Sequence, residues 1–144
     1  MGNSDVTTHK FTAILSKKVD TGKIMNALAH MSIGLVASNL DKIPEMNFGN
    51  YVDKDGGIHK SLSNNSFVIL RADNSNQIRT IRNKAIEKGI AYVDFTNTMQ
   101  EGTYIEQIER TKQTPEAELE YYGVCLFGKI EDINELNKKF SLWR

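Results

Sequence analysis

One cysteine, two prolines and one tryptophan in 144 residues deny several architectures their raw material. A lone thiol, Cys125, can neither close an internal disulfide nor help build a multi-cysteine zinc site. Its neighbours Val124, Leu126 and Phe127 predict a buried, inert thiol. An excess of one charge is also missing. Lys+Arg and Asp+Glu stand at 18 each, which gives the whole chain no electrostatic pull toward nucleic acid. No apolar run is long enough to span a bilayer, so no membrane partner is expected. Residues 1–10 lack the apolar core of a signal peptide, and the expected compartment is the cytoplasm. Met1-Gly2 invites a myristoylation reading, but Val6 stands where that motif wants Ser or Thr.

What is present is an ordinary globular composition, 40% hydrophobic and 25% charged. It predicts a flexible segment over 1–10 and one α/β domain over 11–144. Residues 11–15 have strand propensity. Asp20 or Thr21 then caps a helix over 23–38, with Ile24, Leu28, Met31 and Leu35 on one stripe. Met25, Ala29, Ile33 and Val36 widen that stripe, which predicts cover on more than one side and a largely buried His30. Residues 41–65 form an excursion, and Asp53-Lys54-Asp55-Gly56-Gly57 marks a hairpin within it. That run has the wrong spacing for a calcium loop, which needs Gly at its sixth position and Glu at its twelfth. No metal and no cofactor are expected.

Residues 67–70 read as a strand covered on both faces. A helix over 75–88 follows, with Ile78, Ile81, Ala85 and Ile86 inward and Gly89 as its left-handed cap. Residues 90–95 form the next strand. An insertion near 99–118 carries a short surface helix and an acidic connector. Residues 121–127 form an interior strand, and Ile133, Leu136 and Phe140 mark a last helix. Strands alternating with helices predict an α/β fold, a three-layer sandwich on a mixed, mostly buried four-stranded sheet.

Candidate chemistry falls in two places. At about 100° per residue, Lys23, Asn26 and His30 share one face of the first helix. A helix start favours anions through its free N–H groups and dipole, and Lys17, Lys18 and Lys23 add charge there. The plainer reading has His30 and Asn26 bonded to nearby backbone, Lys23 reaching outward and the loop lysines solvated. The second place follows the third main strand, where Asp94, Thr96, Asn97 and Thr98 stand. Ligands bind beyond the carboxyl ends of strands in α/β sheets. Turn capping accounts for these residues equally well.

Thr12-Ala13-Ile14-Leu15, Gly22-Lys23-Ile24, Ala29-His30-Met31, and Asp94 followed by Thr98 resemble peptidyl-tRNA hydrolase type II. The closing residues 123–128, Asp132-Ile133 and Phe140-Ser141-Leu142-Trp143 are similar to that family's last strand, helix and short terminal strand. Asn26-Ala27-Leu28-Ala29-His30-Met31, Gly34-Leu35, Asp55-Gly56, Ser63, and Phe95 with Met99 resemble more closely an uncharacterised bacterial group. That group is numbered two thousand among the domains of unknown function and is thought to share the hydrolase's fold. The resemblance implies that fold. It also implies a catalytic set of Lys23, Asp94 and Thr98, with Lys17, Lys18, Asn26, His30 and Thr96 as ligand-binding neighbours. Ala27 stands where the hydrolases carry Gln, and Thr96-Asn97 replaces their Gly-Arg.

Two functions follow. The first is a hydrolase of an ester or amide linked to a nucleotide or tRNA end. Lys23 would stabilise the developing charge, Asp94 would orient Lys23 or water, and Thr98 would hold the carbonyl. The second is a binding module that holds a nucleotide or small anion without cleaving it. A homodimer through residues 99–118 is a further expectation. For the hydrolase, Lys23 and Asp94 must converge at one rim of the sheet.

Overall fold

A computed structural model describes residues 7–144. The expectations for 1–6, including the Met1-Gly2 motif, lie outside the described residues. The chain is α/β, with a mixed five-stranded sheet and a separate two-stranded one. In chain order the elements are β1 (His9–Ser16), α1 (Thr21–Ala37), α2 (Ile43–Met46), β2 (Phe48–Val52), β3 (Ile58–Ser63), β4 (Phe67–Ala72) and α3 (Ser75–Glu87). Then come β5 (Ala91–Thr96), α4 (Tyr104–Lys112), β6 (Tyr121–Lys129), α5 (Ile130–Asn137) and β7 (Ser141–Leu142). The main sheet runs β5-β6-β1-β4-β7.

β1 and β6 read as unbroken apolar runs because both are interior strands with helices on both sides. The interior position expected for residues 121–127 is observed. Ile24, Ala27, Met31 and Leu35 of α1 pack on one face with Phe11, Phe95 and Cys125. Ile78, Ile81 and Ala85 of α3 pack on the other with Ile133 and Leu136 of α5. Burial pushes the Cys125 thiol up to about 12, so it stays protonated at neutral pH. A Cβ at Gly123 would stand 2.7 Å from a Leu15 methyl and 2.9 Å from the Met31 methyl. The missing side chain is what lets α1 lie close against β6. Gly89, at φ 67°, ends α3 in the left-handed cap expected of it.

Three expectations are corrected. The sheet has five strands, not four, because Leu70 and Arg71 of β4 pair with Leu142 and Ser141 of β7. Ile86 is 45% exposed, since only Ile78, Ile81 and Ala85 of α3 reach the sheet. α1 is covered on one side only: Met25 is 65% and Ile33 71% exposed. The excursion over 41–65 holds the β2–β3 hairpin, and the insertion near 99–118 holds α4.

β1 and β4 are parallel, and β5 runs the same way, since both β1 and β5 lie antiparallel to β6. Their carboxyl ends therefore share one rim, and α1 and α3 both start there. From adjacent strands the chain turns to opposite faces: after β1 to the α1 face, after β4 to the α3 face. Such a divergence opens a crevice at the carboxyl ends of the strands.

Candidate functional site

At that rim the backbone N–H of Lys17 donates to the carbonyl of Ala72 (2.9 Å), which ties the end of β1 to the end of β4. The buried Ser16 hydroxyl accepts from the Lys18 N–H at 3.2 Å. This turn holds Lys17 and Lys18 outward, and both are exposed. Lys18 shares a recess of about 320 Å³ with Asn74, Ser75, Asn76 and Arg79 of the α3 start.

The two helix starts differ. At α3 the Asn74 side chain accepts from the Gln77 N–H (3.0 Å), and the Gln77 side chain accepts from the Asp73 N–H (2.7 Å). At α1 the Asp20 side chain makes no cap bond, and no acidic residue occupies the first turn. The Ile24 N–H is satisfied by the Asp20 carbonyl at 3.0 Å. The N–H groups of Thr21, Gly22 and Lys23 precede it and have no intrahelical acceptor. A Cβ at Gly22 would meet nothing within 4 Å, so the first turn is open to a ligand.

Lys23, Asn26 and His30 lie along the outer side of α1, and all three are exposed. The burial expected for His30 is thus overturned. Only the stripe of Ile24, Ala27, Met31 and Leu35 meets the sheet, and His30 falls outside it. The His30 ring lies over the edge of the sheet, 6.2 Å from the Phe95 ring, which in turn is 6.0 Å from Tyr122. The Tyr122 hydroxyl donates to the Gln100 side chain at 2.9 Å. Tyr122 and Gln100 therefore join this face, although no feature of the sequence marks them.

Asp94 does not join it. Val93 and Phe95 point to the α1 face, so the pleat turns Asp94 to the α3 face. There its carboxylate accepts from the Arg82 guanidinium at 2.7 Å, with the two side chains only 15% and 23% exposed. The Arg82 guanidinium also lies 5.7 Å from the ring centres of both Tyr92 and Tyr121. Lys23 and Asp94 are thus on opposite faces of the sheet, and the expected contact between them is not formed. A sequence signal for Arg82 did exist. It stands four residues after Ile78 and three before Ala85, on the inward side of α3, where a charge needs a partner.

Thr96 and Thr98 are both buried, with their hydroxyls 2.8 Å apart. Thr98 also accepts from the Thr111 hydroxyl at 2.8 Å, and its carbonyl accepts from Arg110 at 3.1 Å. These bonds anchor α4 to the end of β5. Among the described residues no group of three or more His, Cys, Asp and Glu could hold a metal ion. No helix there is long and apolar enough to cross a membrane.

Comparison with known proteins gives a fold and a family. A solved structure from Agrobacterium tumefaciens strain C58, a protein of unknown function, is similar with a TM-score of 0.80 at 18% identity. The similarity covers 96% of this chain and 100% of that one. No curated protein matches. The family model for the protein of unknown function DUF2000 matches residues 9–144, and the chain belongs to that family.

Proposed function

We propose that the chain binds a small phosphorylated ligand, of the nucleotide class, at the start of α1, and that it does so without cleaving it. One observation carries this reading. α1 opens on the carboxyl rim with neither a side-chain cap nor a first-turn acid, whereas α3 on the same rim is capped. A phosphate group there would accept from the N–H groups of Thr21, Gly22 and Lys23. Lys23 adds its charge from within the helix, and Lys17 and Lys18 add theirs from the turn before it. Asn26 and His30 continue along the outer side of α1 and suit the sugar or base of such a ligand. The resemblance of Gly22-Lys23-Ile24 and Ala29-His30-Met31 to peptidyl-tRNA hydrolase type II supports a reading of the fold as like that family's.

Hydrolysis by Lys23, Asp94 and Thr98 lacks that support. Asp94 is engaged by Arg82 behind the sheet, and the Thr98 hydroxyl is engaged in the core. Calorimetric titration with AMP, ADP and inorganic pyrophosphate tests the proposal. We expect binding that Lys23→Ala weakens about tenfold, the loss of one charge-assisted contact, and no product by chromatography. Absence of binding at millimolar ligand would contradict the reading, and so would turnover.

A further inference from the structure

The β2–β3 hairpin springs from the rim opposite the candidate site, and none of the described residues covers its body. From Phe48 to Leu62 every residue is exposed except the partly buried Gly49. Both of its ends are nevertheless fixed. At the base, the Asn65 side chain accepts from Asn47 at 2.7 Å and donates to the Glu45 carbonyl at 2.8 Å. At the tip, Asp53 accepts from the N–H groups of Asp55 (3.0 Å) and Gly57 (2.9 Å) and lies 2.8 Å from the His59 ring. An isolated two-stranded hairpin is marginal in water, so an arm held rigid and left bare calls for a partner.

The bulge leaves β2 regular, so the pairing of Phe48 with Ser63 and of Val52 with Ile58 puts these residues on one face, and the pairing of Gly49 with Leu62 and of Tyr51 with His59 defines the other. Phe48 (41% exposed), Val52 (66%) and Ile58 (64%) give the first face an apolar surface, and Tyr51 (52%) and Leu62 (64%) give the second another. β2 carries neither charge nor proline, so its outer edge has no guard against another strand.

We propose that this arm docks on a second copy of the chain, by exchange of arms between two copies. The charges favour this occupant. Asp53 and Asp55 are balanced by Lys54 and Lys60 within the arm, and the chain has no net charge, so two copies meet without repulsion. The area decides the mode. At these exposures each large apolar side chain offers roughly 100 Å². One face then gives about 300 Å², and both faces with neighbouring Phe67 give about 600 Å². A standard interface of about 800 Å² per partner, slightly more than half apolar, needs about 450 Å². One face falls short and two suffice, which is why the arms are exchanged rather than stacked flat.

Light scattering during size exclusion at about 100 µM protein, a concentration that would reveal micromolar affinity, tests the proposal. The expected mass is twice the 16.3 kDa of the chain. Val52→Glu on the first face and Tyr51→Glu on the second should each give monomers with an unchanged circular dichroism spectrum. Ile108→Glu, on the exposed side of α4, should remain dimeric. A monomeric wild type overturns the proposal. So does a dimer that survives both hairpin variants or is lost in Ile108→Glu. Dissociation by only one of the two hairpin variants overturns the exchange of arms.

Discussion

α1 and α3 start on the same rim of one sheet, from neighbouring parallel strands, yet their first turns and outer charges differ in kind. α3 is self-sufficient. Asn74 and Gln77 satisfy its start, Arg79 bonds Glu116 at 2.9 Å and the Leu119 carbonyl at 2.6 Å, and Arg82 holds Asp94. Both of its arginines are already engaged by the protein. α1 has the opposite arrangement: an uncapped first turn, an open Gly22, and Lys23, Asn26 and His30 facing outward. A helix start that holds itself together has little left to offer a ligand, and one that leaves its donors free has. The lesson is to look for the site on the helix whose polar groups the fold does not use.

The largest effect expected from breaking this contrast is on stability, on the α3 side. Asp94→Ala leaves the Arg82 guanidinium unpaired in a site that water reaches only in part. It should lower the unfolding free energy in urea by about 1–3 kcal/mol, below the cost at a fully buried pair. Phosphate binding at α1 should be unchanged, whereas a catalytic Asp94 would show lost turnover at undiminished stability. Next comes the Tyr121 hydroxyl, which burial and then its hydrogen bond to Glu116 push up from 10.0 to about 12. The folded value lies above the unfolded one, so the stabilisation is complete below pH 10 and is lost as pH rises toward 12. Cys125, raised by burial from 9.0 to about 12, adds a loss of the same sign over a range that begins near pH 9. Urea midpoints measured from pH 9 to 12 should fall less steeply in Tyr121→Phe than in wild type. The smaller effect concerns the caps. Asn74→Ala should cost about 1 kcal/mol and Asp20→Ala only a few tenths, because only Asn74 makes the cap bond. Equal costs in paired thermal melts would remove the distinction between the two helix starts.

Much of the fold was legible because its signals are local. The apolar run over 121–127 marked an interior strand, the Asp-Gly-Gly punctuation marked the hairpin, and Gly89 marked a helix end. β7 was visible only in the resemblance of Phe140-Ser141-Leu142-Trp143 to a short terminal strand, because two residues carry no periodicity of their own. His30 was misjudged because the breadth of an apolar stripe was equated with burial. Met25 and Ile33 widen the stripe but face outward. The candidate site was legible in part. The sequence marks the start of α1 and its lysines as candidates, since helix starts attract anions wherever they fall. The partner of Asp94 was not, because its orientation depends on the pleat of β5 and on which helix covers that face. Neither is encoded near Asp94 in the sequence.

One substitution at the start of α1 tests the central claim most directly. Gly22→Asp places a carboxylate where a Cβ meets no neighbour, in a first turn that holds no acid. The free N–H groups and the helix dipole should then be satisfied by the protein itself. The account predicts a gain of about 0.5–1 kcal/mol in unfolding free energy, together with loss of pyrophosphate binding by calorimetry. A variant that is stabilised and still binds pyrophosphate with wild-type affinity would contradict the account.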